Sequence, residues 1–286
     1  MSSAWRRSDR GTAAAGDPQP WPDRPGPAPT LGTQASDAPA LAVVIPSLQE
    51  AQRLAPLLAD LAPAADLVRE LVVVDGGSSD ATARIALLGG ARLLRCARGR
   101  GGQLALGVAA TTAPWLLLLH ADARLPPDWA HWLRAAIDAD PGAAWAFRLA
   151  IDARDPRLRL VEWAVNWRSR WRQLPYGDQG LLLSRQLLTA AGGVAPLPLL
   201  EDLELIERLR GLAPIRLLPV PLRVDGRRWQ RLGVWRTALA NAAIRRAWRR
   251  GVPAAELARR YYGRSPLGGA LLPQPERSIG TGDPSR

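Results

Sequence analysis

LVVVDGGSSD (residues 71–80) decides how this chain is read. Four apolar residues, three of them β-branched, run straight into an acid, and two glycines and two serines follow. A continuous apolar run bounded by turn residues is what a strand buried on both faces looks like in a parallel sheet. Asp75 then stands at the carboxyl end of that strand, where open α/β sheets bind their ligands. The same grammar appears on either side. LAVVIP (residues 41–46) is followed by Glu50, and WLLLLHAD (residues 115–122) ends in His120 and Asp122. Three acidic or polar strand ends are therefore expected to face one crevice.

Outward from these runs, strands and helices alternate. A helix over about 50–62 carries Leu54, Leu57, Leu58 and Leu61 at helical spacing. A helix is expected to start near Ser79, with Ser78 or Ser79 as its cap. A short strand over about 91–95, a helix over about 101–110 and the strand at 115–119 come next. Pro126 and Pro127 then open a helix over about 128–139. This alternation predicts βαβ units and a parallel sheet. In the second half, 143–151 reads as a strand and 157–172 as a helix with Trp163, Trp167 and Trp171 four apart, a stripe read as packing. Leu181 to Leu183 and Ile215 to Leu218 read as short strands, and a helix runs from near Glu201 to about Arg210. Segments 232–250 and 253–262 read as C-terminal helices. Residues 1–39 and the end of the chain, rich in Pro, Gly, Ala and Ser without periodicity, read as a disordered leader and tail.

The 286 residues allow one large α/β domain or two smaller ones. All 38 basic residues are arginine, and the formal net charge is +12. That excess lies in residues 205–264, where 15 Arg face only Glu207, Asp225 and Glu256; the remainder of the chain is neutral. A basic C-terminal third points to an anionic partner or to a solvated helix face. The single cysteine, Cys96, excludes an intrachain disulfide and is read as core. No stretch reaches the ~18 apolar residues a membrane span needs, and no signal peptide is evident, so a cytoplasmic protein is expected.

Three motifs carry chemistry. In the first, Asp75 with Gly76 and Gly77 can serve as a ribose or base contact, or as an ordinary strand–turn–helix cap. GxGxxG after the first strand and GxxxxGK[ST] are both absent. In the second, His120 and Asp122 fall on one side if the chain stays extended. Oxygen ligands there suit Mg²⁺ or Mn²⁺, with Asp122 the stronger candidate and His120 a satisfied structural histidine or a ligand. In the third, LLEDLEL, Glu201 and Asp202 occupy the first turn of a helix. There they either complement its dipole or supply a general base.

Taken in order, PSLQE, VVVDGGSSD, ARGRGGQLALG, LLLLHADARLP, YGDQGLLL, LPLLEDLEL and GRRW resemble family-2 glycosyltransferases of the GT-A fold over about residues 41–262. The similarity is greatest to the subfamily associated with radical-SAM and selenium-domain genes and linked to arsenosugar biosynthesis. The resemblance implies a mixed α/β sheet flanked by helices, with a nucleotide-binding half (40–125), an acceptor half (126–230) and basic C-terminal helices (231–264), followed by a tail at 265–286. It implies an inverting transfer of a hexosyl or related group from a nucleotide-diphospho-sugar to an acceptor hydroxyl. Pro46, Glu50, Asp75, Arg98, Gly99, Gly102 and Gln103 would hold the nucleotide. Asp122 matches the last acid of the family's DXD-type motif and would bind Mg²⁺ or Mn²⁺; the chain departs from that motif with His120, where many members have Asp. Asp202 matches the catalytic base. Asp178, Gln179 and Glu201 would contact donor sugar or acceptor, as would Arg228 and Trp229, which resemble the RW of a (Q/R)xxRW motif.

Alternatives stay open at this stage. One is a nucleotide-sugar-binding or regulatory protein on the same scaffold without transfer activity. Another is a nucleotidyltransferase, which would need a glycine-rich loop with a basic residue after the first strand, where this chain has PSLQEAQR. Residues 228–250 mix Trp229, Trp235 and Trp248 with arginines. They read as a helix packed on the sheet, or as one lying at the inner membrane face near a lipid-linked acceptor. No nucleic-acid-binding module is recognised, and no nucleic-acid partner is expected.

Overall fold

Val43, Val44 and Ile45 are wholly buried, as a strand flanked by two parallel neighbours and covered on both faces requires. They lie in β1 (Leu41–Ser47). The computed structural model describes residues 40–262, all within the unit Asp37–Arg286, so the expected leader and the tail at 265–286 lie outside the described residues. In chain order there follow α1 (Ala51–Leu61), β2 (Val68–Asp75), α2 (Thr82–Leu88), β3 (Arg92–Arg95), α3 (Arg100–Ala109), β4 (Trp115–Leu118), β5 (Ala123–Arg124) and α4 (Trp129–Ala139). Then come β6 (Ala144–Asp152), α5 (Arg157–Arg172), a 3₁₀ turn (Gly177–Gln179), β7 (Leu181–Ser184), α6 (Arg185–Ala190), α7 (Glu201–Leu209), β8 (Ile215–Asp225), α8 (Arg227–Leu232), α9 (Val234–Arg249) and α10 (Ala254–Tyr262).

The eight strands form one mixed sheet in the order β3-β2-β1-β4-β7-β6-β8-β5. β3, β2, β1 and β4 run parallel. β7 is antiparallel to β4 and β6, β6 is parallel to β8, and β5 is antiparallel to β8. The carboxyl ends of β1 and β4, the start of α7 and the end of β8 thus come to one side of the sheet. Among the described residues no helix is long and apolar enough to cross a membrane.

Several expectations are corrected. Helix α2 starts at Thr82 and not near Ser79, and no side chain caps it. Ser78 is occupied instead with Asp75, to which it donates from both its N–H and its hydroxyl. The strand read as Ile215 to Leu218 continues to Asp225, passing Pro219 and Pro221 where its pairing with β6 shifts register; such a bulge tolerates residues that cannot donate to the ladder. The helix expected over 232–250 is α9, and Gly233, with φ +83, separates it from α8 within the basic stretch 228–250, which also reads as one helix in sequence. Cys96 is half-buried, not core.

The largest correction concerns α5. Trp163, Trp167 and Trp171 are 67%, 47% and 62% exposed. The helix turns its polar side to the sheet. Asn166 accepts from the Leu149 N–H at 2.8 Å and donates to the Leu149 carbonyl at 3.0 Å, and Glu162 accepts from the Ile151 N–H. β6 meets β7 only at Trp145, so α5's side chains serve backbone groups of β6 beyond that point.

Candidate active site

At the carboxyl ends of β4 and β8 and the start of α7, a cavity of about 350 Å³ opens. It is lined by Arg100, His120, Asp122, Asp178, Asp202, Asp225, Arg227, Arg228 and Trp229, with Thr237, Asn241, Ile244 and Arg245 of α9 on another wall. Four acids and four arginines in one cavity of a +12 chain mark a place built for a polar, partly anionic ligand.

Asp202 stands in the first turn of α7. Its Oδ2 accepts from the Gly177 N–H and its Oδ1 from the Leu203 N–H, each at 2.8 Å. Burial pushes its carboxyl up, but Arg100 and the Gly177 and Leu203 N–H groups together outweigh that and hold it below the usual carboxylate range. Gly177 must be glycine for steric reasons: a Cβ would fall 2.8 Å from His120 Nε2 and 3.1 Å from Asp202 Oδ2. Leu200, which precedes α7, has φ +64, a conformation a leucine adopts only where the surroundings enforce it. That turn aims Glu201 and Asp202 to opposite uses. Glu201 is 1% exposed and pairs with Arg100, while Asp202 lines the cavity.

Arg100 ties the site together. It donates to Glu201, and its Nη1 lies 3.2 Å from His120 Nε2. With a guanidinium donating to it, that ring nitrogen acts as acceptor, so the imidazole is neutral; burial and Arg100 push its pKa down to about 3. His120 and Asp122 do not share an extended strand, because β4 ends at Leu118 and the Ala123 N–H closes a turn onto the His120 carbonyl at 3.1 Å. Both nonetheless line the cavity. Asp178 also lines it; burial and the charge of Asp202 push its pKa up to about 6, and its Oδ1 is buried without a partner.

The other end of the cavity holds Asp122, Asp225 and Arg227, with Glu50 and Arg53 behind them. Arg227 reaches Glu50 at 2.6 Å, Arg53 pairs with Asp225, and the Arg227 N–H donates to Asp225 at 2.7 Å. Burial raises the Asp122 carboxyl, with Arg227 opposing and Asp225 adding to the rise. A buried carboxylate beside further acids gains from a cation. Among the described residues no group of three His, Cys, Asp or Glu is arranged to hold a metal. Asp122, with Asp225 on the same wall, offers the one or two carboxylate oxygens with which Mg²⁺ or Mn²⁺ can be held when ligand phosphates and water complete the shell.

The strand ends are not equivalent. Asp75 is 1% exposed and is absent from the cavity wall. It belongs to a network that knits the loop after β1 to the loop after β2, in which Gln49 bonds Ser78 and Ser79, and Thr82 accepts from the Glu50 N–H. Gln103 spends its amide on the carbonyls of Ser47 and Val74, at 2.8 and 2.7 Å, pinning β1 to β2. Pro46 is buried in β1, opposite Val74. Gly99 turns the chain into α3 at φ +146, Gly102 faces open space, and Arg98 is exposed. Gln179 is fully buried and bonds Ser169 and the Phe147 carbonyl, so it supports the 177–179 turn from beneath. Arg228 lies over the Tyr261 ring at 4.1 Å, and its Nε is buried without a partner.

Sequence reasoning missed Arg100, Asp225, Arg227, Arg245, Gly101 and Gly177. Arg100 carried a signal: an arginine opening a helix opposes the helix dipole unless an acid stands near it. Gly101 carried none. A Cβ there would fall 2.5 Å from the Ala195 carbonyl, a contact 94 residues away in sequence.

Comparison with known proteins agrees with this geometry. The sequence model described as Glycosyl transferase family 2 matches residues 42–195. Comparison with curated proteins finds no match. Among solved structures, glucosyl-3-phosphoglycerate synthase from Mycobacterium tuberculosis, in complex with Mn²⁺, uridine diphosphate and glucosyl-3-phosphoglycerate, is similar at 24% identity and TM-score 0.50. That match covers 75% of this chain and 81% of that one. S. aureus TarS 1–349 is similar in fold at 16% identity and TM-score 0.53, covering 65% of this chain and 60% of that one. With more than half its length matched by the family model and its mixed sheet shared with these structures, the chain belongs to glycosyl transferase family 2.

Proposed function

We propose that the protein transfers a glycosyl group from a nucleoside-diphosphate sugar to an acceptor hydroxyl, with inversion, and that Asp202 is the general base. The observation that carries this reading is Asp202 itself: a carboxylate held ionised by Arg100 and two backbone N–H groups, on the wall of a cavity that Asp122 also lines. The acceptor O–H gives its proton to Asp202 as its oxygen bonds to the anomeric carbon. The bond from that carbon to the diphosphate oxygen breaks on the opposite face, and its electron pair leaves with the nucleoside diphosphate. Arg227 and Arg228, both on the cavity wall, stabilise that developing charge. Asp122 would hold a divalent ion, which supplies further neutralisation of the leaving diphosphate. The fold relative from M. tuberculosis was solved with Mn²⁺ and uridine diphosphate, which supports the same ligand classes here.

Pro46, Glu50, Arg98, Gly99 and Gly102 frame the nucleotide side in this reading, with Asp75 and Gln103 holding that frame in place. Asp178, Glu201 and Trp229 border the sugar and acceptor. In this reading the chain is a member of the radical-SAM and selenium-domain-associated subfamily with its arsenosugar link, which the resemblance of its motif order supports. The work of such an enzyme is cytoplasmic, at or near the inner membrane face.

A panel of nucleotide sugars, each with Mg²⁺ or Mn²⁺, tests the reading by thermal shift and nucleoside-diphosphate release. At least one donor should stabilise the protein and turn over. Stabilisation without turnover on any acceptor would favour a nucleotide-sugar-binding protein, and neither response would reject the assignment.

A further inference from the structure

We propose that the outward face of α5, with the neighbouring outward stripe of α9, docks the protein on an anionic lipid bilayer. The inference does not depend on the glycosyl-transfer reading.

Leu160, Trp163, Trp167 and Trp171 are 60%, 67%, 47% and 62% exposed. At 3.6 residues per turn they fall within a sector of roughly 80°. The residues α5 buries, Leu158, Glu162 and Ser169, lie on the opposite side. Packing against the rest of the described protein therefore does not account for the tryptophans. On α9, Trp235 and Leu239 are 53% and 70% exposed, and Arg246 continues their row. The two helices are neighbours: Leu158 of α5 and Val234 of α9 share one apolar cluster, and Arg168 and Arg245 approach the same Tyr176 ring, at 3.9 and 5.4 Å.

Charge selects the occupant. α9 contains no acid, and the only acid of α5, Glu162, is buried and bonded to β6. Arginines flank the aromatic face on both helices, among them Arg170, Arg236 and Arg249, all exposed, and Asp155, just before α5, is paired with Arg157. A row of amphipathic tryptophans edged by cations suits the headgroup layer of an anionic membrane, where the rings sit at the interface and the guanidinium groups meet lipid phosphates. Large exposed apolar patches on soluble domains are uncommon and mark an interaction site. The cavity-facing side of α9 carries Thr237, Asn241, Ile244 and Arg245. A bilayer against its other side would lie beside the cavity, within reach of an acceptor carried by a lipid.

The test is co-flotation of the full chain with vesicles of phosphatidylcholine alone or with one-third phosphatidylglycerol. The wild type should float with anionic vesicles, much less with neutral ones, and less as salt rises. The triple variant Trp163→Ser, Trp167→Ser, Trp171→Ser should bind at least tenfold more weakly. Replacing Arg236, Arg246 and Arg249 by Gln should remove the salt-dependent part. Quenching of wild-type tryptophan emission by brominated lipid reads insertion directly and stands even if the triple variant fails to fold. No flotation at low salt, equal flotation of the triple variant, or no quenching overturns the proposal. So does a wild-type dimer that the triple variant dissociates, which would assign the stripe to self-association.

Discussion

Two acids on the cavity wall compete for the role of base, and the pH dependence of the rate separates them. A base works only when ionised, so activity falls as pH drops through its pKa. Asp202 is held below the ordinary carboxylate range by Arg100 and two backbone N–H groups. Asp178 sits at about 6 because burial and Asp202 disfavour its charge. By pKa matching alone Asp178 would be the stronger base at neutral pH; by geometry Asp202 is the one locked in a single orientation by two 2.8 Å bonds. Orientation is expected to decide, since a misplaced group costs ~10²-fold while proton transfer by a positioned base contributes ~10²–10⁴-fold. The perturbation is Asp202→Asn beside Asp178→Asn, and the assay is nucleoside-diphosphate release against pH with donor affinity measured in parallel. Asp202→Asn should lower kcat by ~10²–10⁴ with donor affinity nearly unchanged. Asparagine has one acceptor oxygen where Asp202 has two, so either the Gly177 or the Leu203 N–H loses its partner. That costs about 1–3 kcal/mol, or very roughly 2–12 °C in Tm for a domain of this size. Wild-type kcat/KM should show no fall near pH 6, because Asp202 stays ionised well below that. The reasoning is refuted if the acidic limb lies near pH 6, disappears in Asp178→Asn, and Asp202→Asn keeps full activity.

Other expectations follow from the same contacts. Gly177→Ala drives a Cβ into His120 and Asp202; kcat should fall by ~10²-fold with donor affinity retained, and a fully active variant would show that the turn moves freely. Gln103→Leu removes two buried hydrogen bonds between β1 and β2; it should lower stability by about 1–3 kcal/mol in urea unfolding, whereas unchanged stability with lost donor binding would make Gln103 a direct nucleotide contact. Asp122→Ala should abolish any stimulation by Mg²⁺ or Mn²⁺ and cost ~10²–10³ in rate, and a chelator should do the same to the wild type. Because the folded protein binds a proton at Asp178 more readily than the unfolded chain, Asp178 should add stability as pH falls from about 6 towards 4; the urea midpoint of Asp178→Asn, relative to the wild type, should fall over that range.

The parallel half of the sheet was legible because β1, β2 and β4 are buried on both faces, and burial of that kind writes an uninterrupted apolar run. β8 was cut short at Leu218; Pro219 and Pro221 cannot donate to a ladder, and nothing local says that a bulge opposite Ala146 and Arg148 will admit them. α5 was found with its ends in place but with the wrong face inward. Periodicity gives a stripe, not the direction in which it points, and here the sheet side was chosen by the unpaired backbone of β6, which wanted Asn166 and Glu162. Within the site, Asp122 and Asp202 were reachable as single residues. The partners that set their protonation were not, because Arg100 and Gly177 come from elements far from both in sequence.

Arg100 has a consequence for how this site can change over time. One guanidinium bonds Glu201 and His120, and its charge is felt at Asp202, Asp122 and Asp178. Those residues descend from three separate segments of the chain, yet all feel this one guanidinium, with Arg227 adding to it at Asp122 and Arg168 at Asp178. Substituting Arg100 would therefore shift the charge balance at all of them together, which ties their variation to one another. Diversity of substrate is more freely explored on the α8–α9 wall, where Thr237, Asn241 and Ile244 line the same cavity without carrying charge.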